Sequence, residues 1–307
     1  MGISELKKST TEWLAVVLLL ALPTAGCSDS AAPDPPPGEL SDSWILFQGL
    51  SDATGLKVYA ILPDGRGLRV VNSGGPVGWQ AMNPSWSRDG KQIAYVTQPA
   101  TFETWVMRTD QSESHKIADI SICATPLASS WSPTGDRIVA DCTNPPRPSH
   151  QYVITVADGT NYSLDQQWGR LAMNADWSPI DDRILYVTGF SFGGPNDIHV
   201  ANLDGSGDAL VLAGATGPKW SPDATRIAFM RNYAIFVANA DGSGAKQVSF
   251  PPSSFDDSSP SWSHDGTQIV FTRSNSVPTR VLHVISADGS GDKKITPDSL
   301  SASGASW

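Results

Sequence analysis

The chain is poor in cysteine, histidine and positive charge. It has 3 Cys and 5 His in 307 residues, and 21 Lys and Arg against 31 Asp and Glu, for a net charge of −10. Three cysteines cannot build a disulfide-dense scaffold. No Cys/His spacing has the form of a zinc site, and no other metal or cofactor site is expected. The acidic balance argues against a nucleic-acid partner, which needs a basic face, and against adhesion to anionic lipid through protein charge. Long hydrophobic runs are missing too. The run Trp13–Leu22 has ten residues, too few to cross a bilayer as a helix. Sustained helical periodicity is missing beyond it.

What the chain does have is turns, strands and tryptophan: 27 Gly, 23 Pro and 11 Trp. One pattern recurs, as NPSWSRDGKQIAYV, ASSWSPTGDRIVAD, NADWSPIDDRILYV, GPKWSPDATRIAFM and SPSWSHDGTQIVFT, around Trp86, Trp131, Trp177, Trp220 and Trp262. Trp307 is the sixth, and the intervals are 45, 46, 43, 42 and 45 residues. A period of this size marks repeat architecture. Each unit reads as four short strands. Strand A ends at the Trp, a tight turn follows, and strand B is β-rich, as in RILYV. Strand C ends on an Asp-Gly hairpin signal, as in AIFVANADG, and strand D follows.

The first unit, from Ser43 to Asn72, has strands B, C and D without A, while Ser301–Trp307 supplies an A with nothing after it. The expected fold is therefore all-β: a six-bladed β-propeller of four-stranded blades over residues 43–307. The N-terminal strands and the C-terminal strand would share one blade, which leaves no open sheet edge.

Residues 1–26 read as an export signal, with Lys7 and Lys8 before the apolar run. PTAGC at 23–27 resembles a bacterial lipobox, with Thr24 where Leu is usual; the resemblance implies cleavage before Cys27 and its lipidation. Ser28 resembles the outer-membrane sorting pattern of a two-membrane cell. The Pro- and Ser-rich stretch 27–42 reads as a tether. Cys123 and Cys142 fall at one end of a single blade and are expected to form a disulfide in an oxidising compartment.

The units Trp220–Phe229 with Ile235–Gly244, and Trp262–Phe271 with Val284–Gly291, resemble the TolB-type propeller repeat of bacterial envelope proteins. The resemblance covers Ser43–Trp307. It implies an envelope protein, periplasmic or at the cell surface, that engages other proteins. TolB carries an α/β domain before its propeller, and the stretch before this propeller reads only as signal and tether.

Alternating strand direction puts the A–B and C–D turns on one face and the longer B–C and D–A loops on the other. The loop-rich face is the expected ligand face, with Trp79, Phe102, Arg147, Trp168, Arg170, Phe190, Phe192 and Phe255 as candidates, since aromatics and Arg make binding hot spots. Asn83, Ser85, Asn174, Asp176, Lys219 and Ser259 are expected to line the channel, with Asp176 and Lys219 near enough to pair. No catalytic residues are assigned: His199 and His283 replace blade-packing residues, and His150, on the loop side, has no nucleophile specified beside it. DGSGD at 204–208 and 288–292 reads as a hairpin turn rather than a calcium loop. The expected protein is a monomeric, lipid-anchored, non-catalytic scaffold that holds a protein or peptide and touches membrane through its lipid alone. A glycan binder using Trp79 and Trp168, or a hydrolase or lyase at the channel mouth, is the alternative.

Overall fold

Strand B of each unit is nearly continuously buried, as in Arg183–Thr188 and Gln92–Gln98, whereas strand D is exposed at the rim, as in Ala209–Leu212. Such a gradient arises when sheets stack face to face around an axis, with strand A innermost. The structure, a computed structural model, describes residues 40–51, 55–72, 80–98, 102–119, 125–144, 147–189, 196–275 and 279–307.

Among these residues six four-stranded antiparallel sheets form. Blade 2 runs Gln80–Trp86, Gln92–Gln98, Glu103–Arg108, His115–Asp119. Blade 3 runs Thr125–Trp131, Arg137–Asn144, Arg147–Thr155, Asn161–Ser163. Blade 4 runs Met173–Trp177, Arg183–Thr188, Asp197–Asn202, Ala209–Leu212. Blade 5 runs Thr216–Trp220, Arg226–Arg231, Ala234–Asn239, Lys246–Gln247. Blade 6 runs Phe255–Trp262, Gln268–Asn275, Arg280–Ser286, Lys293–Lys294. Blade 1 joins Ile45–Leu50, Lys57–Ile61 and Arg69–Asn72 to Ser301–Ser306, which pairs as its strand A, with Leu46 opposite Ser306 and Leu50 opposite Ser301.

The W-S-x-D-G signature builds the A–B turn. Ser87, Ser132, Ser221 and Ser263 accept at Oγ from the N–H five residues on, at 2.9, 3.0, 2.9 and 2.9 Å. Asp89, Asp223 and Asp265 accept both the Ser hydroxyl and the N–H two residues on, as Asx turns do. In the C–D turns Asp204, Asp241 and Asp288 accept from the N–H of Ser206, Ser243 and Ser290.

The tryptophans wedge between blades. Each of six core clusters joins two neighbours, as where Trp177 of blade 4 packs with Val139 and Val153 of blade 3. The indole N–H of Trp131 donates to Ser85 O at 3.2 Å, and that of Trp262 to Lys219 O at 3.1 Å. The Arg that opens strand B caps the next blade's ring: Arg137 over Trp177, Arg183 over Trp220, Arg226 over Trp262, at 4.8, 5.3 and 4.6 Å. Packing begins before Ser43: Leu40 is buried in the cluster of blades 1 and 2, and its N–H donates to Thr109 O at 3.1 Å. The folded body thus takes in residues 40–42, which their composition assigns to the tether. One five-residue helix, Leu164–Trp168, is capped by Ser163 and ends on Gly169 at φ 66°.

Candidate functional site

Strand A carries a β-bulge three residues before its Trp. Register slips between Met82 and Ser85, Met173 and Asp176, Thr216 and Lys219, and Ser258 and Ser261. The bulged residue has left-handed backbone: Asn83 at φ 50°, Asn174 at 49°, Gly217 at 59°, Ser259 at 53°, Gly304 at 62°. Backbone geometry therefore selects the small residues of this column. The bulge also turns N–H groups toward the preceding blade. Asn83 donates to Gln48 Oε1 at 3.0 Å and Asn174 to Asp141 Oδ2 at 3.1 Å.

A cavity of about 520 Å3 opens at this level on the loop-rich side, with Gln48, Asn83, Asp141, Asn174, Ser259 and Arg280 in its wall. Asp141 is 3% exposed. Burial pushes its carboxyl up to about 6, against the Asn174 N–H and the Gln151 amide, which favour the anion. Its Oδ1 and the Gln151 Nε2 are both buried with no formed hydrogen bond among the described residues.

Nearer the turns, the column one residue before each Trp ties the ring together. Ser130, Asp176, Ser261 and Ser306 accept from the backbone N–H of Trp177, Trp220, Trp307 and Trp86, at 3.0, 2.8, 3.2 and 3.2 Å. Lys219 pairs with Asp176 across blades at 3.0 Å. Ser85, Asp176 and Lys219 line a second cavity, of about 300 Å3, at the turn side.

The loop-face candidates separate. Trp79, Phe190 and Phe192 lie outside the described residues, as do Cys27, Cys123 and the Arg147 side chain. Phe102 and Phe255 are half-buried, before strand C of blade 2 and at the start of strand A of blade 6. Trp168 and Arg170 leave the loop face. The Trp168 indole donates to Leu203 O at 3.0 Å, and Arg170 donates to Gly205 O at 3.1 Å while its guanidinium lies 5.1 Å from the Trp168 ring. Both side chains are taken up by the C–D turn of blade 4, because the helix drops them along the outside of that blade. Sequence reasoning missed Tyr233 and Phe250, 69% and 68% exposed. Tyr233 tops a two-residue B–C hairpin with φ 62°, after Asn232 at 49°. Its signal was the unusual Asn-Tyr pair where such a turn wants glycine.

The titratable clusters are built into the blades. Asp257 is fully buried and holds Arg273 through two bonds, at 2.6 and 2.8 Å. Arg273 also meets Asp292, which binds His283 at 2.6 Å. Asp208 likewise joins Tyr186, at 2.5 Å, and His199, at 3.1 Å. The last Asp of each DGSGD thus anchors a strand C histidine. His150 bonds Asp165 at 3.0 Å, and that carboxylate also accepts the N–H groups of Gln151 and Ala172. Among the described residues no three His, Cys, Asp or Glu side chains converge as a metal ion would need. GFSFG at Gly189–Gly193 has the spacing of a nucleophile elbow, but it links two antiparallel strands of blade 4, where an elbow requires a strand leading into a helix. Residues 190–193 lie outside the described residues.

Closed ring, bulged inner strands and two cavities at the inner wall define a six-bladed β-propeller. The chain belongs to the TolB beta propeller domain family, whose pattern matches residues 57–307. No curated protein sequence matches it. Among solved structures it is similar to TolB from Acinetobacter baumannii, at 16% identity and a TM-score of 0.71, over 86% of this chain and 66% of that one. It is also similar to a chain of a nidogen/laminin complex, at 9% and 0.66 over 86% and 97%. Hydrazine synthase from Kuenenia stuttgartiensis matches at 12% and 0.64, over 88% of this chain and 46% of that one. At these identities the likeness is one of fold, and the fold carries unrelated functions.

Proposed function

We propose that this protein is a lipid-anchored, non-catalytic scaffold of the bacterial envelope that holds a protein or peptide segment at the loop-rich side of its ring. The observation that carries the reading is the cavity of about 520 Å3 at that mouth, within the size range of small ligand sites. The Asp141 carboxyl lies in its wall, and the same face displays Tyr233 and Phe250. Large exposed aromatics are the side chains that dominate protein interfaces. Tyr233 is held exposed in a backbone region that side chains avoid, and such strain gathers at functional sites. The envelope placement draws on family membership and on the export and lipobox pattern ending at Cys27. A Cys123–Cys142 disulfide belongs to the same reading. The glycan alternative loses one of its two platforms, because the Trp168 ring is engaged by blade 4.

Crosslinking in intact cells tests this. The chain should capture one reproducible protein partner, and Tyr233→Ala with Phe250→Ser should lose it while the fold survives. Cys27→Ala should move the chain out of the membrane fraction. Recovery of the same partners by the double variant would overturn the assignment of the loop face.

A further inference from the structure

The opposite mouth of the channel has a different chemistry. In the A–B turns of the other blades the residue after W-S is Pro133, Pro179, Pro222 or His264; in blade 2 it is Arg88. Arg88 reaches past blade 3, donating from Nη2 to Trp177 O at 2.7 Å and to Ser130 Oγ at 3.4 Å. Both acceptors are neutral. Its Nε is buried with no partner among the described residues. Nearby, the Asp176 carboxylate is consumed, Oδ1 by Lys219 and Oδ2 by the Trp220 N–H. The inner wall of this mouth therefore holds two cations against one carboxylate, in a protein whose net charge is −10. The outer pair, His264 and Asp42, is 3.9 Å apart and more than half exposed, so water screens it. Trp220, 2% exposed, lines the same cavity.

A half-buried cation without a directly bonded counter-ion, with a buried N–H lacking an acceptor, is costly unless a ligand completes it. We propose that the turn-side mouth of the channel binds a carboxylate, with Arg88 as its cation. The planar fork of the guanidinium matches a carboxylate. A single excess positive charge suits a monovalent carboxylate better than a phosphate ester carrying nearly two negative charges. The carboxylate comes from the C-terminus of a partner chain or from an Asp or Glu on one of its loops. A cavity of about 300 Å3 admits either. This site stands or falls independently of the loop-rich face.

Calorimetric titration of the full chain tests it with three probes: acetyl-triglycine with a free carboxylate, its C-terminal amide, and amidated acetyl-Gly-Asp-Gly. At least one carboxylate peptide should bind tenfold or more tightly than the amide, and whichever binds better identifies the source. Arg88→Gln should abolish that difference. Should this variant fail to fold, the wild-type Arg88 Nε–H resonance gives the answer: it should shift on saturation with the carboxylate peptide and stay put with the amide. Equal binding of all three probes, or an unmoved Nε–H, would overturn the proposal.

Discussion

Asp141 serves the ring and strains it at once. Its Oδ2 holds the bulged N–H of Asn174 in the next blade, while burial raises its carboxyl to about 6. The folded value lies above the unfolded one of about 3.9, so the native state binds the proton more readily. The stability this contributes is complete below about pH 3.9 and is lost as pH rises through about 6. Asp141→Asn lacks that titration. Urea unfolding should show wild type losing stability relative to Asp141→Asn as pH rises from 4 to 7, and a flat difference would remove the argument. Nothing in the sequence flagged Asp141, because its partner is 33 residues away on another blade. Asp176 and Lys219 were legible because both fall in one repeat column, one blade apart. Arg88 departs from the proline of that turn in plain view, but its reach to Trp177 depends on the ring's diameter.

An element rather than a residue explains the small column before each Trp. Read alone, Asn83, Asn174, Gly217 and Ser259 look like the lining of a wet channel, and they do line a cavity. The bulge adds a stricter requirement, a positive φ, which Gly and Asn meet with least strain. Asn174→Val should cost about 1–3 kcal/mol, read as a fall in the urea midpoint, whereas Asn174→Gly should fall within about 0.5 kcal/mol of wild type. Equal losses in the two would mean that the Asn side chain, not the backbone, matters. Strand positions were readable from the Trp period and the turn chemistry. The bulge was not, since a register slip leaves no mark except the column it selects. Trp168 and Arg170 escaped for a related reason: strand D of blade 3 stops after three residues, and the helix that replaces its continuation turns their side chains away.

At the scale of the whole molecule, stability is distributed over six equivalent interfaces, and the one between blades 6 and 1 depends on Ser301–Trp307. That segment supplies a strand, places Ala302 in the core beside Leu300 with Trp307 against them, and ties Trp86 through Ser306. Deleting 301–307 should lower stability by more than the ~3–5 kcal/mol of one buried Trp. Hydrogen exchange should show the amides of Ile45–Leu50 losing protection before those of blades 3 to 5. The separate peptide, added back, should restore it. Uniform loss over all blades would show instead that the ring unfolds as one unit. Repeat number and closure were legible because they are arithmetic on the Trp spacing. The binding faces were not, since loops lie where the repeat stops repeating.

The shared blade also imposes a schedule. Leu50 waits for its inner neighbour until Ser301 has been synthesised, which at about 5–20 residues per second takes on the order of ten seconds or more. Until then the nascent polypeptide lacks the strand that closes blade 1 and leaves the inner edge of Ile45–Leu50 unpaired. A ring latched by this strand would be too rigid to thread, so under the proposed envelope role the crossing of a membrane would precede closure.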